Sequence, residues 1–189
     1  TSTVVVFPLM GQVDFGLLYY PLAAVGIVYM VNSVNLTDGL DGLAASVTAA
    51  AALGLFSVAA AFQNREMELY SVAVAGACLG FLVWNFYPAK VFMGDTGSMF
   101  LGGAVVSIAF GLGLPVILGL VGIIYIVESL SVVLQVISFK TTGKRIFKMS
   151  PIHHHFEMSG HSEVQIVAAF TAVTALGAVA AGLFARLML

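Results

Sequence analysis

Three polar segments interrupt an otherwise apolar chain, and each carries side chains with chemistry to offer. The first is Asn35-Leu36-Thr37-Asp38-Gly39-Leu40-Asp41-Gly42. Asp38 and Asp41 stand three apart, so on a helical turn their carboxylates project from one face, suited to a hard cation or to a polar ligand. Gly39 and Gly42 let backbone come close to that ligand. Asp before an apolar run is also a good N-cap, and Asp-Gly marks turns. The doubled motif beside Asn32 and Asn35 favours the ligand reading. The second segment, residues 85–98, ends in Gly94-Asp95-Thr96-Gly97-Ser98 and opens into an apolar run. A helix starting there offers unpaired N–H groups and hydroxyls, a cradle for phosphate. Asp95 suits Mg²⁺, which takes one or two carboxylates and completes its shell with water and phosphate oxygens. Phe92 is placed to stack on a nucleobase or to anchor at a membrane interface. The Walker spacing and its Lys are absent, so this is not a P-loop.

The third segment is Ser150-Pro151-Ile152-His153-His154-His155-Phe156-Glu157, after the basic residues Lys140, Lys144, Arg145 and Lys148. Adjacent residues on a helix point about 100° apart, so three consecutive His cannot share one metal as an i, i+4 pair does, which argues against zinc. They can donate to phosphates or act as acid and base near neutral pH. Inside the apolar runs stands one further acid, Glu128. An intramembrane carboxylate is a functional candidate by default, and Gln135 follows it two helical turns on.

These side chains need a scaffold, and the composition states its medium. Of the 189 residues 60% are hydrophobic and 8% charged, and the mean hydropathy is +1.06. Soluble domains carry about 25% charge, so a soluble globule is excluded. Seven Lys and Arg against nine Asp and Glu supply no basic face for nucleic acid. A single cysteine, Cys78, rules out a disulfide framework and reads as a buried thiol. A span needs about 20 apolar residues. About six such runs appear, at 15–34, 42–62, 69–87, 98–114, 115–139 and 164–189. The expected fold is an all-α polytopic transmembrane bundle, residues 1–189 forming one integral membrane domain. Val4-Val5-Val6 is too short to span and reads as a small extracytoplasmic strand or the tail of another element. The 20 glycines suit close helix packing in lipid. If the runs alternate sides, the three polar segments share one side with Lys90, Lys140, Lys144, Arg145 and Lys148, and only Arg65 and Arg186 fall on the other. The positive-inside rule makes the richer side cytoplasmic.

In this order and between spans, the 35–42 run, the Phe92-Met93-Gly94-Asp95-Thr96-Gly97-Ser98 turn and the Pro151-Ile152-His153-His154-His155-Phe156-Glu157 segment resemble the bacterial phospho-N-acetylmuramoyl-pentapeptide transferases. These form a family of the polyprenyl-phosphate N-acetylhexosamine-1-phosphate transferase superfamily. The resemblance covers essentially the whole chain. It implies a Mg²⁺-dependent enzyme of the bacterial plasma membrane, its site facing the cytoplasm. Such an enzyme moves phospho-MurNAc-pentapeptide from UDP-MurNAc-pentapeptide to undecaprenyl phosphate, giving lipid I and UMP. Carried over by motif, the resemblance implies Asp95 as the Mg²⁺ ligand, with Asp38 and His154 beside it in catalysis. It implies Asn35, Gly39, Leu40, Asp41, Asn85 and Phe92 around the nucleoside, Phe92 stacking on uracil, where nucleoside inhibitors would also sit. His153, His154 and His155, with Gln135, would line the donor cleft. A homodimer is left open. The family is about ten spans long and carries an adjacent aspartate pair early in its chain. No Asp-Asp pair occurs here, so the sequence is expected to be the later half of such a protein. Two other readings stand beside this one. A sibling enzyme would transfer N-acetylglucosamine-1-phosphate. A transporter would place its polar groups near the bilayer midplane, on paired broken helices.

Overall fold

The computed structural model describes residues 3–7 and 11–188. Strands β1 (Val4–Phe7) and β2 (Gly11–Asp14) pair antiparallel, with Val4 opposite Asp14 and Phe7 opposite Gly11. The valine run thus forms a strand. A single 3-10 turn, Gly16–Leu18, leads into α1 (Tyr19–Thr37). Then follow α2 (Leu43–Ala61), α3 (Arg65–Asn85), α4 (Gly94–Gly111), α5 (Leu118–Val121), α6 (Ile123–Thr142), α7 (Ile152–Glu157) and α8 (Glu163–Leu187).

Among the described residues, five helical segments are long and apolar enough to cross a membrane: Gly16–Thr37, Leu43–Ala61, Arg65–Asn85, Ile123–Thr142 and Glu163–Leu187. The sequence reading expected about six. The run expected at 98–114 belongs to α4, which starts four residues earlier, at Gly94. Its first turn is the polar Gly-Asp-Thr-Gly, and that turn lowers the helix's average hydropathy. The run expected at 115–139 is not one helix. Pro115, which lacks an N–H and fixes its φ, opens a 3-10 turn at Pro115–Ile117. The short α5 ends where Gly122, a weak helix former, donates its N–H to Leu118 O at 2.8 Å. Only beyond Gly122 does α6 run continuously.

The centre of the bundle is α2, whose alanine-rich sequence is buried over most of its length between α3 and α8. Small side chains allow that close approach. Leu43, Val47, Leu55, Val105, Ile108, Val121 and Tyr125 are fully or almost fully buried around it, and Cys78 is buried as expected. The Thr48 and Tyr125 hydroxyls pair at 2.8 Å inside this core. Outward faces carry large exposed apolar residues, such as Leu22, Val25 and Val28 on α1 and Leu176, Val179 and Leu183 on α8. An apolar core beneath an apolar exterior is the pattern of a multi-pass membrane bundle. The hairpin and the Pro115–Ile117 turn share one end, where Phe7, Phe15, Tyr19, Pro115 and Val116 border an apolar cavity of about 300 Å³. The C-termini of α1 and α3, the N-termini of α2, α4 and α8, and the short α7 meet at the other.

Candidate active site

At that second end α1 and α4 run antiparallel in close contact. A Cβ on Gly102 would lie 2.8 Å from Val31 Cα and 3.0 Å from its carbonyl oxygen, so only glycine fits there. One turn toward the site from this contact, Asn35 on α1 faces Ser98 on α4. The Asn35 amide donates to Ser98 Oγ at 2.9 Å and to Asp95 Oδ1 at 3.1 Å. Asp95 lies in the first turn of α4, where free backbone N–H groups and the helix dipole favour a carboxylate. Asp38 ends α1, its N–H bonded to Asn35 O at 3.1 Å. Half-buried, Asp38 has its pKa raised, first by burial and then by the Asp95 carboxylate. Among the described residues, the ion pairs are Arg65 with Glu68, His153 with Glu128 and His154 with Glu157. The Asp38 and Asp95 carboxylates are thus near enough to repel, and neither takes part in one of those ion pairs.

Asp41, the second acid of the first segment, acts as a brace. Its Oδ2 accepts the Ala89 N–H at 2.8 Å, and its own N–H donates to Glu163 Oε2 at 3.2 Å. It therefore ties the α1–α2 turn both to the loop after α3 and to α8. Asn85 is buried at the end of α3 and donates to Val91 O at 2.9 Å. Trp84 O accepts the N–H groups of Lys90 and Val91, and the Lys90 ammonium lies 5.5 Å from the centre of the Trp84 ring. This held loop presents Phe92 with 76% of its surface exposed. Leu40 is buried beneath the turn, whereas Gly39 is exposed.

The three histidines go to different places. His153 is buried, with Nδ1 2.9 Å from Glu128 Oε1, and its ring lies against Gly39. His154 is partly exposed and pairs through Nδ1 with Glu157 at 2.9 Å. His155 Nδ1 accepts the Lys148 N–H at 3.1 Å. Gln135 clamps the loop after α6. Its Oε1 accepts the N–H groups of Ile146 and Phe147, both at 2.9 Å, and its Nε2 donates to Phe147 O at 2.9 Å. Gln135 also borders a groove of about 440 Å³ with Phe139, Lys140, Arg145 and Met149.

The structure therefore brings Asn35, Asp38 and Asp95 together, with Gly39 and His153 adjoining. It assigns the hydrogen bonds of Asn85, Gln135 and Asp41 to holding loops. The roles of two residues lay outside the sequence reading, which took Ser98 only as part of a phosphate cradle and did not single out Glu163. Ser98, a partner of Asn35, is three residues beyond Asp95 on one helix face. Glu163, the acceptor for Asp41, follows the N-cap Ser162, whose reciprocal pairing with Gln165 starts α8. Among the described residues, no set of three or more His, Cys, Asp or Glu converges on one metal position. The Asp38 and Asp95 pair is the acidic feature that remains.

Residues 1–114 match the model of glycosyl transferase family 4. A phospho-N-acetylmuramoyl-pentapeptide-transferase of Clostridium perfringens (strain 13 / Type A) is 54% identical over 166 residues, covering 88% of this chain and 52% of that protein. Proteins of the same name from Halalkalibacterium halodurans and Bacillus pumilus are 53% identical over 182 residues and 58% identical over 158. Those alignments cover 95% and 83% of this chain, and 56% and 48% of the relatives. The chain spans about half the length of the curated relatives it matches. With well over half of its residues inside the family model, the chain belongs to glycosyl transferase family 4.

Proposed function

We propose that the full-length protein carrying this chain transfers phospho-MurNAc-pentapeptide from UDP-MurNAc-pentapeptide to undecaprenyl phosphate, releasing UMP and forming lipid I. The observation that carries this reading is the Asn35, Asp38 and Asp95 cluster at one end of an apolar bundle, in a chain whose relatives bear that enzyme name. An oxygen of the lipid phosphate bonds to the β-phosphorus of the donor, and the bond from that phosphorus to the UMP oxygen breaks. Two anions meet in this step. Asp95, with Asp38 beside it, would hold Mg²⁺, and the ion would supply positive charge against their repulsion. The raised pKa of Asp38 supports that assignment, because a carboxylate held up by burial and by a second carboxylate is one that a divalent cation would relieve.

The chain's own residues do the rest. Asn35 fixes the Asp95 carboxylate, and the first turn of α4 offers backbone N–H groups to a phosphate. Phe92, exposed on a braced loop, stacks on the uracil of the donor and of nucleoside inhibitors. Lys90, Lys144, Arg145 and Lys148 in the connections, with Lys140 in the last turn of α6, lie at this end, which by the positive-inside rule faces the cytoplasm of the bacterial plasma membrane. One substrate thus arrives from water and the other from lipid. The test offers the full-length protein undecaprenyl phosphate with either UDP-MurNAc-pentapeptide or UDP-N-acetylglucosamine. Lipid I from the first supports the proposal. Transfer from the second alone rejects the substrate.

A further inference from the structure

Glu128 on α6 and His153 on α7 are 25 residues apart in sequence and meet in the interior, Nδ1 to Oε1 at 2.9 Å. Both side chains are essentially unexposed. Each keeps one buried polar atom with no hydrogen-bond partner, Oε2 of Glu128 and Nε2 of His153. Buried polar groups are ordinarily paired, so an unpartnered atom on each side of one hydrogen bond calls for a reason. The Nε2 edge supplies one, because it rests directly against Gly39, next to Asp38. A Cβ on Gly39 would clash with Nε2 and stand 2.7 Å from Cε1. Gly39 is exposed and has no side chain, so at this residue the Nε2 edge is covered by backbone alone.

We propose that Glu128 is a positioning residue for His153. Its carboxylate accepts the Nδ1–H, which fixes the ring plane and the tautomer. Nε2 is left without a proton, as a hydrogen-bond acceptor for an O–H group of substrate seated on the Asp38–Gly39 turn. Of the three consecutive imidazoles this is the buried one, whereas His154 and His155 bond Glu157 and the Lys148 backbone. The proposal rests on the transferase reading for the identity of the substrate.

The test uses the full-length protein in proteoliposomes, with ¹⁵N-labelled histidine read by solid-state NMR and with kcat and KM for lipid I formation. The wild type is expected to show His153 protonated at Nδ1 and bare at Nε2. Glu128→Gln is isosteric, and its amide can turn either its oxygen or its N–H toward Nδ1; the spectrum shows which, and the N–H orientation reverses the tautomer. Reversal is expected to cut kcat by about 10²-fold and leave KM within about threefold, since partners that orient an imidazole are worth one to several powers of ten. Glu128→Asp keeps the acceptor and is expected to keep the tautomer and recover part of the rate. A merely structural pair would tolerate the reversal. A kept tautomer with a kept rate agrees with the proposal, whereas wild-type kcat in a Glu128→Gln protein whose spectrum shows the reversed tautomer overturns it. So does a wild-type spectrum with Nε2 protonated, a result that needs no variant to fold. If the wild type forms no lipid I, the transferase reading fails and the rate arm with it, while the spectrum still decides the orientation.

Discussion

Asn35 reaches across 60 residues of sequence to donate its amide to Asp95 at 3.1 Å, joining the end of α1 to the start of α4. That reach depends on Gly102, where the two helices touch at the Val31 backbone.

Gly102→Val should therefore damage the site from a distance. Backbone atoms of Val31 cannot step aside as a flexible side chain can, so overpacking should cost about 1–3 kcal/mol. Thermal denaturation of the detergent-solubilised full-length protein should show a lower Tm. UMP binding by calorimetry should weaken as the Asn35–Asp95 bond opens. An unchanged Tm would contradict the close packing of α1 on α4.

Asp38 should reveal itself through pH. Burial and the Asp95 carboxylate raise its folded pKa above the ordinary 3.8, so the folded chain binds the proton more readily than the unfolded one. Stability from this group is then present at low pH and falls as pH climbs from the ordinary value through the raised one. Asp38→Asn should raise the Tm at neutral pH without divalent cation, and the difference should vanish under acid. Added Mg²⁺ should raise the Tm of the wild type and leave the variant little changed. A variant less stable than wild type at neutral pH would contradict the repulsion.

Phe92 projects into solvent, so its removal should spare the fold. Stacking of an aromatic ring on a base contributes about 1–3 kcal/mol, and Phe92→Ala should weaken UMP binding by roughly 5- to 150-fold at unchanged Tm. Unchanged affinity in calorimetry would reject the stacking role.

How far the sequence could be read differs from residue to residue. The helices were legible from runs of apolar residues long enough to span, and the shared end of the polar segments followed from their alternation. Pairing of Asn35 with Asp95 was not legible. It is set by how closely two helices approach, and that depends on the neighbours a glycine meets. The runs were parted at Pro115, but the break at Gly122 was missed because hydropathy does not register a weak helix former inside an apolar stretch. Glu128 stood out as a carboxylate in an apolar run, but its partner lies on a short helix that folds back into the bundle, beyond any local spacing rule. Asn85 and Gln135 entered as ligand contacts through the resemblance, which says nothing of their hydrogen bonds within the chain. Only the structure shows their amides bonded to the backbone of neighbouring loops.

The central claim is that Asp95 anchors a Mg²⁺-dependent phosphoryl transfer. The most direct measurement is lipid I formation by the full-length protein, wild type beside Asp95→Asn, with and without Mg²⁺. Wild type should make lipid I and UMP only with Mg²⁺. Asp95→Asn should remain folded, because its amide oxygen can still accept from Asn35, yet lose at least about 10²–10³-fold in rate. An Asp95→Asn protein that turns over at the wild-type rate would contradict the account.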